Sequence, residues 1–143
     1  MAIQVPAITR VLNSSTLNTS GTPSYNTTAW DFAGFDAANF IVAIGSIAGG
    51  GGFSILKLQE SDTSGGTYTD VTSGNTSGLT IADTDDNKIV SILVRRTGRK
   101  RFLRMTLTTA AAAATVVDGV LAVGLSNTVN DPITIADFSV IVS

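Results

Sequence analysis

Apolar and polar residues alternate with a period of two in many short segments of this chain, which is the pattern of a half-buried β-strand. In residues 88–96, for example, Val90, Ile92 and Val94 fall on one side of the chain and Ser91 falls on the other. Clusters of Gly, Asp, Ser and Asn, which are typical of turns, separate these segments. The segments are residues 7–12, 27–32, 39–44, 53–60, 67–71, 79–82, 88–96, 101–108, 116–125 and 133–142. Nine or ten strands at this spacing predict an all-β fold, an antiparallel β-sandwich or jelly-roll-like barrel.

One of these segments is apolar on both of its sides. Phe40 and Val42 alternate with Ile41 and Ala43 within residues 39–44. A strand that is covered on both faces has this composition, whereas a strand with one face in water alternates apolar and polar residues. We therefore expect residues 39–44 to form a central or doubly covered strand.

The hydrophobic pattern gives little support for helices or membrane spans. Residues 110–114 are all Ala, but five residues are too few for a stable isolated helix, so we expect a connection there. The most membrane-like stretch, residues 105–125, contains several Thr and also Asp118, and a charged residue within a span opposes insertion. The start of the chain shows no secretory signal pattern. We expect no membrane partner.

The chain divides by composition into a short arm and one domain. Residues 1–24 contain Pro6, Pro23 and a run of Ser, Thr and Asn, with few apolar residues. We expect an extended N-terminal arm over residues 1–24, with one edge strand, that is either loose or lies along a neighbour. Residues 25–143 are expected to form a single β-sandwich domain, since 143 residues suit one domain and not two.

Composition narrows the function classes. The chain has no Cys and no His, which excludes disulfides, thiol nucleophiles, Cys/His zinc sites and imidazole bases. Charged residues make up 14%, well below the roughly 25% of a typical soluble domain. Thr occurs 20 times, and Ser and Gly 14 times each. A surface of short polar groups costs little to desolvate, which favours assembly with other chains. We expect no enzymatic activity and no cofactor.

Three local patterns resemble known sites but lack an essential feature. Residues 54–57 match the S-x-x-K pattern of acyl enzymes, but they fall in a predicted strand rather than a helix. The glycines of residues 49–52 are not followed by the Lys and helix of a phosphate-binding loop, so we expect a hairpin tip. Residues 83–87 open like a calcium loop, but Lys88 stands where Gly is required and Val94 where Glu is required. A solvated acidic turn is the better interpretation, with a weak cation site at Asp83 and Asp85 as the alternative.

The strongest local signal is electrostatic. Six of the nine basic residues fall within residues 95–104, although the formal net charge of the chain is −2. We expect part of this run to be a hairpin turn and propose a protein interface at its basic residues, Arg95, Arg96, Arg99, Lys100 and Arg101. Three interpretations stay open: a solvated turn, contact with an acidic protein surface, and nucleic-acid binding. The third is the least favoured, because only Phe102 could supply a stacking aromatic ring.

Two stretches resemble small structural proteins of tailed-bacteriophage virions. Residues 58–62 (LQESD) followed by residues 65–71 (GGTYTDV) resemble a strand–turn–strand unit that recurs in those proteins, and residues 101–104 (RFLR) resemble one of their strands. Tyr68 stands where Trp is frequent, and Phe102 stands where Tyr is frequent. The resemblance extends over about residues 28–125 and is closest to the head decoration, or capsid cement, proteins.

The resemblance implies a β-sandwich that trimerises on the outer surface of the virion and joins neighbouring subunits of the major capsid protein. The expected function is therefore that of a non-enzymatic virion structural protein, a homo-oligomer with a trimer favoured, which stabilises an assembled capsid. The alternative is a carbohydrate- or receptor-binding module of a phage tail or fibre. That alternative requires aromatic side chains grouped at one loop end, and glycan binding that is lost on mutation of Tyr25, Trp30 or Tyr68 would favour it. An internal nucleic-acid-binding capsid protein is a third hypothesis.

Overall fold

The structure is a computed structural model that describes residues 7–13, 15–17, 24–71, 79–110, 114–125 and 138–142. Within these residues the chain forms twelve β-strands and one short 3-10 helix, Asp83–Asp85. The strands are β1 (Ala7–Leu12), β2 (Ser15–Leu17), β3 (Ser24–Asn26), β4 (Trp30–Asp31), β5 (Ala37–Ile47), β6 (Phe53–Ser61), β7 (Thr69–Asp70), β8 (Leu79–Ile81), β9 (Ile89–Arg95), β10 (Phe102–Thr109), β11 (Thr115–Leu125) and β12 (Phe138–Val142).

The strands form two six-stranded sheets that pack together as a sandwich. The first sheet has the order β1-β11-β5-β9-β12, and β2 also pairs with β11. The second sheet has the order β3-β10-β6-β7, with β4 also on β10 and β8 also on β6. The pairs of described strands are antiparallel except β12, which runs parallel to β9. The predicted all-β sandwich is confirmed.

The core lies between the two sheets and follows the alternation of the sequence. Val90 and Val94 of β9 in the first sheet and Leu103 and Leu107 of β10 in the second sheet are all fully buried and belong to one apolar cluster. Trp30 lies at one end of this core and is 5% exposed. Large apolar side chains removed from water in this way supply most of the stabilisation of such a domain.

The doubly apolar segment lies in the middle of the first sheet. β5 pairs with β11 on one side and with β9 on the other, so the predicted central position is confirmed. Phe40 and Val42 point into the core and are fully buried. Ile41 and Ala43 point away from the core, onto the opposite face of the first sheet, and are half-buried.

The described part of residues 1–24 lies on the chain's own first sheet. β1 pairs antiparallel with β11 over most of its length, and β2 pairs with the start of β11. Val11 and Leu17 enter the core with exposed fractions of 3% and 4%. The edge-strand position predicted for residues 7–12 is confirmed. The domain boundary predicted at residue 24 stays a prediction.

Two connections expected to be hairpin turns instead join the two sheets, so those predictions were wrong. Residues 49–52 run from β5 in the first sheet to β6 in the second, and residues 96–101 run from β9 to β10 in the same sense. Alternation specifies which side of a strand is buried but not which sheet the strand joins. Gly52 has a φ of 108°, and a Cβ there would clash with the carbonyl oxygen of Ile81, so the crossing requires glycine.

The strand–turn–strand unit is formed as the sequence predicts. β6 ends at Ser61, a turn follows, and β7 returns antiparallel to pair with Gln59 and Glu60. Of the predicted last strand, residues 133–137 lie outside the described residues, and β12 covers the remainder. Residues 111–113 of the Ala run also lie outside the description.

Candidate functional site

The five residues proposed as an interface lie together at one end of the sandwich. The connection that carries Arg95, Arg96, Arg99, Lys100 and Arg101 turns sharply, with the Arg99 N–H donating to the Arg96 carbonyl oxygen at 2.9 Å. Gly98, at the tip, has a φ of 72°. Short strand β4 and the end of β6 lie beside this connection, since β10 pairs with both. We call these five residues and their contacts the basic end.

Arg101 forms a two-point ion pair with Asp31 of β4. Its Nε donates to Asp31 Oδ1 at 3.0 Å and its Nη2 donates to Asp31 Oδ2 at 2.8 Å. The N–H of Ala33 also donates to this carboxylate, at 2.9 Å. The hydrogen bond from Arg101, followed by that from Ala33, lowers the pKa of Asp31 from 3.8 to about 2. Arg101 therefore connects β4 to the start of β10.

Arg99 and Lys100 bind the carboxylates at the end of β6. Arg99 Nη1 lies 3.6 Å from Glu60 Oε1, and these two side chains are only 11% and 12% exposed. The backbone N–H of Lys100 donates to Glu60 Oε2 at 3.1 Å. Lys100 Nζ lies 3.4 Å from Asp62 Oδ2. The charges of these two basic residues are thus balanced by acidic residues of the second sheet.

Arg96 holds the loop that precedes β5. Its Nη1 donates to the carbonyl oxygens of Phe32 at 2.8 Å and Phe35 at 3.4 Å, and its guanidinium carbon lies 5.8 Å from the centre of the Phe32 ring. The backbone N–H of Arg96 also donates to the Asp36 carbonyl oxygen at 2.8 Å. Carbonyl oxygens fix the position of the guanidinium group but do not cancel its charge.

Arg95 borders an open pocket at the basic end. The pocket has a volume of about 440 Å³ and is lined by Asp36, Arg95, Arg96 and Thr97. The five basic residues carry a formal charge of +5, and the acidic residues among them, Asp31, Asp36, Glu60 and Asp62, carry −4. The net charge of +1 is far smaller than the sequence run suggests. The excess positive charge lies at the pocket, because Arg99, Lys100 and Arg101 each contact a carboxylate.

Arg104 belongs to a different surface, the outer face of the second sheet. Its Nε and Nη2 donate to Gln59 Oε1 at 2.9 and 2.8 Å, and its guanidinium carbon lies 4.1 Å from the centre of the Tyr68 ring. Lys57 Nζ bonds to Asp70 at 2.7 Å on the same face. The hydrogen bonds from Lys57 and then Gln59 lower the pKa of Asp70. This face is a polar, internally bonded surface.

The outer face of the first sheet is apolar instead. The residues that point away from the core on β1, β5, β9 and β11 form adjacent rows across the sheet. Its members, which we call the outer face, are Ile8, Ile41, Ala43, Ile89, Leu93, Leu121 and Val123. Ile8 is 64% exposed and Ile89 is 40% exposed. Charged side chains also lie on this side of the sheet: Arg10 on β1, Arg95 at the end of β9, and the exposed Asp118 on β11, whose Oδ1 lies 3.0 Å from the place of a Cβ at Gly45 of β5.

A buried polar pair fixes the middle of this face. Ser91 Oγ donates to Asn39 Oδ1 at 2.7 Å, between β9 and β5. Sequence reasoning singled out residues 39–44 as apolar on both sides but did not identify the outer face. The same doubly apolar pattern in residues 116–125 was the signal that could have found it, but only the pairing of β11 with β5 joins the two segments into one surface.

The aromatic residues required by a carbohydrate-binding function are not grouped. Trp30 is buried against Phe35, at 5.3 Å between ring centres, and edge-on to Phe40 at 6.2 Å. Tyr25 packs against the core from β3. Tyr68 lies on Arg104 at the outer face of the second sheet.

The acidic turn uses its carboxylates within the fold. Asp83 Oδ2 accepts from the Gly50 N–H at 2.8 Å. Asp85 accepts from the Ala82 N–H at 2.9 Å and pairs with Lys88 at 3.0 Å, and these contacts, in that order, lower its pKa. Among the described residues no group of three or more acidic side chains is placed to hold a metal ion.

Comparison of the chain with protein-family models, with curated proteins and with solved structures finds no match. In the part of the chain that the structure describes, no helix is both long enough and apolar enough to cross a membrane.

Proposed function

We propose that this chain is a non-enzymatic virion structural protein of a tailed bacteriophage, a homo-oligomer that binds the outside of an assembled capsid and stabilises it. The observation that carries the proposal is the apolar outer face of the first sheet, with Ile8 64% exposed on its edge strand. A contiguous apolar surface on a small domain marks a contact with another macromolecule. The polar outer face of the second sheet is suited to water.

The composition of this face fits a protein–protein contact. Apolar side chains surround the hydrogen-bonded pair of Asn39 and Ser91 at its centre, and the charged residues on this side of the sheet are few: Arg10 on β1, Arg95 at the end of β9 and Asp118 on β11. Interface centres are depleted in charged residues, and Arg is the basic residue enriched at interfaces. A capsid subunit that presents an apolar patch is a partner of this kind, which favours the major capsid protein.

The sequence resemblance supports the same proposal. Residues 58–62 and 65–71 lie on β6, the following turn and β7, and residues 101–104 lie at the start of β10. These motifs belong to the second sheet, although the resemblance as a whole extends over strands of both sheets. A protein that binds only the assembled shell shifts the assembly equilibrium toward that shell by mass action.

Binding to assembled particles tests this function. The purified full chain is mixed with empty capsids assembled from the major capsid protein of the same genome, and the particles are sedimented. We expect saturable co-sedimentation and a higher disassembly temperature, corresponding to about 2.7 kcal/mol of stabilisation when free protein is at a hundred times its Kd. Failure to co-sediment, or equal binding to unassembled subunits, contradicts the proposal.

A further inference from the structure

The pocket at the basic end adjoins the outer face of the first sheet. Arg95 is the last residue of β9 and pairs with Ala37 of β5, which in turn pairs with Leu125 of β11. Arg95 follows Leu93 on the same side of β9, and Leu93 belongs to the outer face. A partner that covers the outer face therefore also lies next to the pocket.

The residues that line the pocket carry one excess positive charge. Arg95, Arg96 and Asp36 line it together with Thr97, and their formal charges sum to +1. Arg96 is held by the carbonyl oxygens of Phe32 and Phe35, so one cation is already positioned before a ligand arrives. Thr97 adds a hydroxyl group that can donate a hydrogen bond.

We propose that this pocket binds a carboxylate group of the protein that docks on the outer face. Arginine forks match the two oxygens of a carboxylate, and a monoanion balances the excess charge. The partner surface is then apolar with an acidic side chain, or a chain terminus, at its edge. The identity of that partner as a capsid subunit rests on the proposed function, whereas the carboxylate preference of the pocket does not.

Nucleic acid fits this end less well than a carboxylate does. Binding to a phosphate backbone requires several cations along a track. Beyond the pocket, Arg99, Lys100 and Arg101 are already matched by carboxylates that would repel phosphates. The guanidinium carbon of Arg101 lies over the Phe102 ring, 5.1 Å from its centre. A nucleic-acid base would have to displace this guanidinium group in order to stack on Phe102.

The test uses the isotope-labelled full chain and two blocked peptides, acetyl-Val-Ile-Val-Glu-amide and the same peptide with Gln in place of Glu. Binding is followed through the arginine side-chain N–H signals and the Thr97 amide signal in NMR spectra. We expect the Glu peptide to shift the signals of Arg95, Arg96 and Thr97, and the Gln peptide to bind at least about threefold more weakly, as suits a partly exposed ion pair. Equal binding of both peptides, or no shift with either, overturns the proposal.

Two matched variants show whether the preference for the Glu peptide comes from the pocket. Arg95→Gln should remove the preference for the Glu peptide, whereas Arg101→Gln, which alters the neighbouring pair with Asp31, should keep it. An equal loss in both variants would mean a general charge effect and contradicts a specific pocket.

Competition between small anions tests the carboxylate assignment. Inorganic phosphate should compete with the Glu peptide no better than acetate does, and stronger competition by phosphate overturns the assignment. Capsids bound equally by wild type and Arg95→Gln refute the pocket alone, and peptide binding without capsid binding refutes the proposed function alone.

Discussion

Most of the charged residues of the basic end stabilise the fold. Arg101, Arg99 and Lys100 each contact a carboxylate that lies 38 or more residues earlier in the chain. These contacts join β4, β6 and β10 where the chain passes between the sheets. Arg95 and Arg96 are the residues whose charge remains available at the surface pocket.

The pair of Asp31 and Arg101 makes stability depend on pH in the acid range. The folded protein holds the pKa of Asp31 at about 2, below its usual 3.8, chiefly through the Arg101 hydrogen bond. A lowered folded pKa contributes stability above the usual pKa, and this contribution is lost as the pH falls from 3.8 to about 2. We expect Asp31→Asn to lower the urea midpoint at pH 7 and the two proteins to converge near pH 2.

The control for this prediction is Asp62→Asn. Asp62 is 79% exposed and contacts Lys100 at 3.4 Å, so its removal should change the midpoint less. A difference between wild type and Asp31→Asn that stays constant from pH 7 to pH 2 would disprove the assigned role of the pair.

Gly124 provides a test of packing at single-residue resolution. A Cβ at this position would lie 2.5 Å from two carbons of the Phe35 ring, and that ring stacks on Trp30 at 5.3 Å. We expect Gly124→Ala to reduce the free energy of unfolding by about 1–3 kcal/mol, since the ring must move within a packed cluster. Urea unfolding followed by Trp30 fluorescence measures the loss.

Gly65→Ala is the matched substitution. A Cβ at Gly65 meets no atom within 4 Å, so the free energy of unfolding should change by no more than about 0.5 kcal/mol. Equal effects at the two positions would show that Phe35 does not pack on Gly124 as described.

At the scale of elements, β1 and β2 complete the first sheet. β11 lies between β5 and these two short strands, so it would become an edge strand without them. Val11 and Leu17 are nearly fully buried, although the surrounding sequence is mostly polar. The segment thus contributes to the domain even though it has too few apolar residues to fold alone.

Deletion of residues 1–17 should therefore destabilise the domain. The loss of two buried apolar side chains, Val11 and Leu17, corresponds to about 3–6 kcal/mol. Such a loss is comparable to the total stability of many domains, so the truncated protein should unfold at much lower urea concentrations. Substitution of the exposed neighbour, Arg10→Ala, should change stability little. Unchanged stability of the truncated protein would show that these strands do not belong to the sandwich.

The strands were predictable from the sequence, but their partners were not. The alternation in residues 88–96 predicts β9 and its buried side correctly, because period-two burial is a local property. Residues 49–52 and 96–101 contain ordinary turn residues, and these residues are equally compatible with a hairpin or with a crossing between sheets. The parallel pairing of β12 with β9 likewise depends on contacts between segments far apart in the chain.

The same limit applies to the candidate site. The run of basic residues was visible in the sequence, but the balancing of Arg99 by Glu60 and of Arg101 by Asp31 follows from strand register. The outer face required the pairing of β11 with β5 and of β5 with β9. Sequence could predict which residues were apolar on both sides of a strand, but not that they formed one surface.

At the scale of the whole molecule, the two outer surfaces of the sandwich have opposite character. On the second sheet, Arg104, Gln59 and Asp70 bond to one another or to neighbours across strands. On the first sheet, Ile8 and Ile89 are exposed apolar members of the outer face. This asymmetry is the basis for assigning the first sheet to the partner and the second to solvent.

Co-sedimentation of two double variants with assembled capsids tests this assignment most directly. Ile8→Lys with Ile89→Lys places two charges on the outer face at exposed positions, and Thr69→Lys with Thr80→Lys places the same charges on exposed edge strands of the second sheet. We predict that the first variant keeps its fold, as judged by circular dichroism, but loses capsid binding, while the second binds like wild type. Wild-type binding by the first variant, or loss of binding confined to the second, would contradict the account.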